Sequence, residues 1–492
     1  MVKEKYLLTI YLVGSTFPRR GGYFFAKRIK SSFKTNQTRY LWDCRSCLLW
    51  VLVETSMNVT FPTLMHQFNA TLSQVQWVTT AYLLAVAATM VIAAYIQSNF
   101  KTKTIINIGG IAFVLGGLIC AFSPSLVLLL IGRIIQAFGT GFAMPLVFSL
   151  IMHQVPFNQQ GKFTGTAGMV IAMAPSLGPT YGGLVTQTMS WPIIFWITIP
   201  IGAICWLVAS FNMPQNQVLH RRAFPLVQFI LITLGLVLIA LGFNSAGQHG
   251  FTNPQFYMPV LVAIIAIWGF VKLSAQNSNP LLQLKMFKNS TFTKVLAIYF
   301  LIQFVQIGMA FLLPNFAQLA LGKNSLVSGM LLLTGSLVSA ILSPLAGNFM
   351  DRVGFNKPLV IGTLFLLIST LCFAIFAQRL NVLTIIILNV FYMIGFSFMF
   401  NNSLTFGLQE VDKSQIGDAN AIFNTLQQYS GSLGTTIMAV MLATGSRVLP
   451  NANTIHQTLM GNQIAMWTNF GIIIVVIILV ISLGRQIQNS KS

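Results

Sequence analysis

An all-α integral membrane protein of about fourteen transmembrane helices is the fold class this sequence predicts, and three observations predict it. Hydrophobic residues make up 55% of the 492 positions and charged residues only 7%, where a soluble domain carries about a quarter. Apolar stretches of about twenty residues recur along the chain, each long enough to cross a hydrocarbon core of roughly 30 Å. The 28 lysines and arginines outnumber the 7 acids and fall mostly between those stretches. The net charge of +21 therefore reads as a topology signal and headgroup contact, not as a nucleic-acid surface.

Residues 1–41 form a basic tail, with Lys3, Lys5, Arg19, Arg20, Lys27, Arg28, Lys30, Lys34 and Arg39 against Glu4. Its apolar run Tyr6–Val13 is too short to span and precedes no small-residue cleavage site, so a cytoplasmic surface tail is expected. Candidate helices follow at about 42–64, 76–98, 104–122, 125–151, 163–186, 192–213, 223–243, 256–274, 293–316, 326–348, 357–377, 382–408, 420–444 and 463–484. With the N-terminus inside, the inner segments hold Lys101, Lys103, Lys162, Arg221, Arg222, Lys272, Lys285, Lys288, Lys294, Arg352, Lys357, Lys413, Arg485 and Lys491. The outer loops hold Lys323, Arg379 and Arg447. That asymmetry places both termini in the cytoplasm. The connection 275–292 carries Leu281, Leu282, Leu284, Met286 and Phe287 with Lys285 and Lys288. It predicts a short interfacial helix at the boundary between two halves. Cys120, Cys205 and Cys372 fall within spans as small apolar residues, and the lone Cys44-x-x-Cys47 has no second pair or histidine to make a zinc site.

Of the seven acids only Glu54 is predicted deep in the membrane, about eleven residues or roughly 16 Å from the inner face. An intramembrane carboxylate is costly, faces a wet cavity as a rule, and carries protons or meets a cationic ligand; a structural ion pair is the alternative. Arg133, entering from near Ser125, lies roughly 12 Å deep from the other side, at a similar level. The two are expected to sense one another, with Gln136 one turn on sharing the face of Arg133. Snorkelling of Arg133 to the outer surface is the competing reading.

The fifth helix contains A-P-S-L-G-P-T-Y-G-G from Ala174. Pro175 and Pro179 should bend it, and Gly178, Gly182 and Gly183 should let another backbone approach closely. The loop G-N-F-M-D-R-V-G offers Gly347 and Gly354 for a tight turn. Asp351 is expected in this loop, preceding the next helix and stabilising its positive N-terminal end, with Arg352 marking the cytoplasmic face as part of a latch. Asn58, Tyr82, Gln136, Gln303, Gln306, Tyr392 and Gln427 are the candidates to line a cavity for an amphipathic substrate. None of the five histidines falls well inside a span, and neither a phosphate-binding G-x-x-x-x-G-K-[ST] loop nor a potassium-filter sequence is present. An enzyme would need converging nucleophiles or metal ligands at depth, and one deep carboxylate does not supply them. No cofactor is expected.

These stretches resemble the fourteen-helix drug/proton antiporters of the major facilitator superfamily, the EmrB/QacA-like group, over about residues 50–484. E-T-S-M-N-V-T-F-P (54–62) is similar to that family's first-helix motif, with Glu where many members carry Asp. G-R-I-I-Q-A-F-G-T-G (132–141) resembles its fourth-helix motif, with Ala137 for a usual Gly. L-G-P-T-Y-G-G (177–183) matches its fifth-helix antiporter motif, Gly347–Gly354 its loop signature and F-N-T-L-Q-Q-Y-S-G-S-L-G-T (423–435) its thirteenth-helix region. The early loop lacks the family's Asp, Pro192 and Thr198 stand where Arg and Asn are common, and residues 1–49 do not resemble a family N-terminus. An altered reading frame or divergent start upstream of about residue 50 is the expectation there, testable by resequencing the coding DNA.

The resemblance implies a major facilitator fold: a six-helix bundle at 42–213, two inserted helices and a linker at 214–292, a second bundle at 293–484 and a short tail at 485–492. It implies a monomer in the plasma membrane whose partners are lipids, protons and small lipophilic substrates. The bundles would rock about a midplane site, with Glu54 exchanging protons, Arg133 tuning it, and the bent fifth helix sealing against leak. A transporter of one metabolite, or one not coupled to protons, is the alternative.

Overall fold

The computed structural model describes residues 53–154, 177–212, 219, 223–277, 280–412 and 415–489. Among them every regular element is helical. The chain enters through α1 (53–56) and a 3-10 turn, Met57–Val59, into α2 (Phe61–Phe68), where Pro62 sits in the first turn and removes a donor that would be unpaired there anyway. Asn69 closes α2 in the left-handed region at φ 47°, which its short polar side chain tolerates. Next come α3 (Leu72–Val75), α4 (Trp77–Val91) and α5 (Ala93–Asn99). Gln76 and Ile92 between them keep right-handed backbone, so the three run on as one bent rod. The first half continues through α6 (Thr102–Ala121), α7 (Leu126–Gln154), α8 (177–188) and α9 (Ile193–Asn212).

Helices α10 (Leu226–His249) and α11 (Pro254–Gln276) form a hairpin. The second half comprises α12 (Ser290–Leu319), α13 (Ser325–Val353), α14 (Asn356–Ile375), α15 (Val382–Gln409), α16 (Ile416–Val448) and α17 (Thr454–Asn489). Many boundaries are set by asparagine. Asn253, Asn289, Asn324 and Asn381 each accept a hydrogen bond from a backbone N–H of the following helix, a cap that stabilises by about 1 kcal/mol. Thr71 and Gln74 make a reciprocal capping box at α3.

Eleven described segments are long and apolar enough to cross a membrane. The first and fifth expected spans begin outside the described residues. The thirteenth, α16, is 33 residues long, but it buries Gln428, Ser430, Ser432, Thr435 and Thr436, which lowers its hydropathy. Within the first half, α4 packs on α7, α7 on α6 and α6 on α9; within the second, α12 packs on α15, α16 and α17, while α15 packs on α13 and α14. Glycine allows the closest of these approaches, as at Gly109–Gly139 and Gly362–Gly395. The inserted hairpin is mostly outward-facing: 17% of its α11 window is buried, against 83% for α12 in the second half. Lipid contact explains the exposed Leu261, Ile265 and Trp268.

Three local expectations are corrected. Among the described residues of the 275–292 connection, the apolar run forms a 3-10 turn, Leu284–Lys288. Leu281, Leu282 and Met286 are buried against protein, so the apolar residues serve packing, not a membrane-surface helix. Gly347 lies inside α13 with open space at its Cβ position, so it makes neither a turn nor a close contact. Asp351 and Arg352 fall in the last turn of α13, where a loop was expected. Gly354 does what was expected: it ends α13 at φ +80°, where a side chain would be strained.

Candidate transport site between the halves

The loops at 69–71 and 320–324 lie at one end of the molecule, here the Asn69 end, and the turns at 100–101 and 410–412 at the other. Between them Arg133 of α7 is fully buried, with no exposure at all, so it does not snorkel. Its guanidinium is spent on backbone. Nε donates to the Val78 carbonyl at 3.3 Å, Nη1 to Val53 at 3.5 Å and Nη2 to the carbonyl of Glu54 at 3.2 Å. Nη1 also donates to Gln136 Oε1 at 2.9 Å, the side-chain contact expected from their spacing. The ring of Tyr82 lies 3.9 Å beneath the guanidinium carbon, a cation–π contact, and the Tyr82 hydroxyl pairs with Thr140 Oγ1 at 2.5 Å. Tyr82 is therefore a support for Arg133, fully buried, where a cavity-lining ring was expected.

Glu54 is 2% exposed, and its Oε2 has no hydrogen-bond partner among the described residues. The expected proximity to Arg133 is met through the main chain: the guanidinium grips the carbonyl of Glu54. Gln136 Nε2 is likewise buried without a partner. One turn beyond Glu54, Asn58 accepts from Thr79 Oγ1 at 2.8 Å, and its Nδ2 is unpartnered among the described residues.

The second half meets this cluster from across the molecule. Asn315 Nδ2 donates to the Asn58 carbonyl at 3.1 Å and Gln318 Nε2 to Val59 at 2.9 Å. Thr80 Oγ1 lies 3.2 Å and 3.1 Å from the hydroxyls of Thr435 and Thr436 on α16. Helix α8 completes the seam. A Cβ on Gly182 would overlap the Ser56 carbonyl, one on Gly183 the Ser325 carbonyl and one on Gly329 the Pro179 carbonyl. Thr180 Oγ1 donates to Gly329, and Ser325 Oγ to Gly183, each at 3.2 Å. Gly178 and Pro179 are buried within α8, while Pro175 lies outside the described residues. These contacts all sit toward the Asn69 end, so the halves are clasped there.

Deeper in the second half, Gln303 and Gln306 lie one turn apart on α12. Each keeps a buried carbonyl oxygen without a partner among the described residues, as does the Tyr429 hydroxyl on α16. Gln428 reaches across to Met144 Sδ at 3.6 Å. Gln427 accepts from Tyr299 at 3.0 Å. Tyr392 is fully buried and donates to the Ile302 carbonyl at 3.3 Å, which ties it into its own bundle instead of a cavity. Tyr429, Asn315 and the threonine cluster were missed by sequence reasoning; only the polar interruptions of α12 and α16 could have signalled them.

A family model, the Major Facilitator Superfamily, matches residues 47–435. The chain belongs to this superfamily. It is a membrane transporter of the major facilitator fold, not an enzyme. Among its relatives, the lincomycin resistance protein LmrB of Listeria innocua serovar 6a is 31% identical over 394 residues, covering 80% of this chain and 84% of LmrB. The riboflavin transporter RibZ of Clostridioides difficile is 26% identical over 407 residues, covering 81% and 87%. Among solved structures, a D-xylose–proton symporter superposes with a TM-score of 0.63 at 15% identity over 88% of this chain and 96% of that one. That likeness is one of fold.

Proposed function

We propose that this facilitator exports lipophilic compounds, cationic ones included, across the plasma membrane in exchange for protons. The observation that carries the reading is Glu54: a carboxyl group 2% exposed, on a helix whose backbone Arg133 holds. A buried carboxyl group in a membrane is costly unless its protonation state is used. When Glu54 releases its proton, a negative charge appears beside Arg133 and in reach of the inter-bundle space, where it favours a cationic substrate. When it takes a proton up, that attraction is lost. Proton and substrate thus bias the same two-state equilibrium through differential affinity.

With the Asn69 end external, as the distribution of lysine and arginine favours, the clasp of α8 on α13 and α4 on α16 describes a state closed to the outside. Gln303, Gln306, Gln427 and Tyr429 would then offer polar contacts to substrate entering from the cytoplasm. Arg133, Tyr82 and Gln136 position Glu54. The relative named for lincomycin resistance favours a drug among the substrates. RibZ supports a second reading, in which the same site takes one defined metabolite.

Efflux of a fluorescent lipophilic cation from energised cells tests the proposal, comparing the native chain with Glu54→Gln at matched expression. Proton-dependent efflux that disappears in the variant supports exchange through Glu54. Efflux that survives unchanged removes Glu54 from the coupling.

A further inference from the structure

A cavity of about 520 Å³ opens beside α12 and α17 at the end opposite the clasp, lined by Lys294, Ile478, Ile481, Ser482, Arg485 and Gln486. Its two cations come from helices far apart in sequence, and neither has an acidic partner among the described residues. Gln486 organises the polar wall. Its Oε1 accepts from Lys294 Nζ at 2.7 Å and from Ser290 Oγ at 3.4 Å, while its Nε2 donates to Thr291 Oγ1 at 3.1 Å. The ammonium of Lys294 is thus held at a fixed place by a neutral group, its charge uncompensated. Further along the same stripe of α17 the lining turns apolar: Ile478 and Ile481, two turns and one turn before Arg485, are 60% and 51% exposed and continue the outward surface of α17 toward the bilayer centre.

We propose that this cavity binds the phosphodiester headgroup of an anionic phospholipid, with one acyl chain lying on Ile478 and Ile481. Two cations, a hydroxyl on Ser482 and a preset amide suit a phosphate oxygen cluster. The adjoining exposed isoleucines suit hydrocarbon and have no use for a free anion, which favours lipid over soluble phosphate. A basic pocket between helices near the membrane–water boundary is where such headgroups are held. The lipid would pin the start of α12, the helix that carries Gln303, Gln306 and Asn315, to the end of α17.

Native mass spectrometry of the full-length protein in detergent, titrated with dioleoyl phosphatidylglycerol, tests this. The native chain should retain one phosphatidylglycerol selectively over phosphatidylcholine. Lys294→Gln/Arg485→Gln should weaken that first binding event on the order of thirtyfold, from roughly fivefold per basic residue near a membrane surface. The charge-retaining pair Lys294→Arg/Arg485→Lys should keep it. Equal retention by native and neutralised proteins would overturn the proposal. So would competition by millimolar inorganic phosphate that removes the lipid completely, since the site would then belong to a soluble anion.

Discussion

At the scale of single residues, Arg133 and Glu54 divide their labour unequally. Arg133 satisfies the carbonyls of Val53, Glu54 and Val78, and a buried carbonyl left without a donor costs about 1–3 kcal/mol. Arg133→Leu should therefore destabilise the purified protein by several kcal/mol, read as a lowered midpoint in thermal unfolding. Arg133→Lys keeps the charge but loses the planar fork and the stack on Tyr82; it should leave a folded chain with transport reduced tenfold or more. Glu54→Gln is close to isosteric and removes a buried charge site, so its unfolding midpoint should not fall even as coupling is lost. A large drop in that midpoint would assign Glu54 a structural role. The sequence made this pair legible because charged residues are rare in spans. It gave depth from residue spacing but not side-chain direction, which is why the guanidinium's attachment to backbone was not foreseen. Tyr82 and Tyr392 meet the same limit: an aromatic ring with a hydroxyl reads alike in sequence whether it lines a cavity or packs in a core.

At the scale of elements, the seam of α8 with α1 and α13 depends on missing side chains. Gly182, Gly183 and Gly329 each leave no room for a Cβ against a carbonyl oxygen of the facing helix. Gly183→Ala should force α8 and α13 apart and weaken closure at the Asn69 end. The check is labelling of a cysteine placed at Asn315, buried in this state, by a membrane-impermeant maleimide in intact cells lacking the native cysteines. The rate should rise severalfold in the Gly183→Ala background; an unchanged rate would mean that the seam does not govern access. The glycine–proline run was legible as a close-packing segment, since few other roles suit residues so poor at forming helices. Its partners on α13 were not, because Gly329 and Ser325 carry no motif of their own. Hydropathy also under-read α16, whose buried hydroxyls and amides face the other half and not lipid.

At the scale of the whole molecule, the inserted hairpin links the two halves at the clasped end. The Asn244 side chain of α10 accepts from Trp77 Nε1 at 3.2 Å and donates to the Ser73 carbonyl at 3.3 Å, and Arg447 of α16 donates to the carbonyls of Ala246 and Gly247 at the end of α10. A guanidinium on the carbonyls of a helix's C-terminal end is favourable through both hydrogen bonds and the helix dipole. Arg447→Ala should speed hydrogen–deuterium exchange in the last turn of α10 several-fold without changing exchange in α12, and uniform exchange across both would show that the contact is not local. Helix count and charge alternation raise the expectation of two halves with a boundary near 290; the docking of the insert carries no such signal, because it rests on Arg447, which in the sequence is only an outer-loop charge.

The central claim is that protons and substrate move in opposite directions through one site containing Glu54. Proteoliposomes carrying a trapped pH-sensitive dye test it most directly, with a lipophilic cation added to drive transport. Substrate-driven proton movement opposite to the cation, absent from Glu54→Gln at equal reconstitution, is the predicted result. Substrate transport with no proton movement in the native protein, or equal proton movement in the variant, would contradict it.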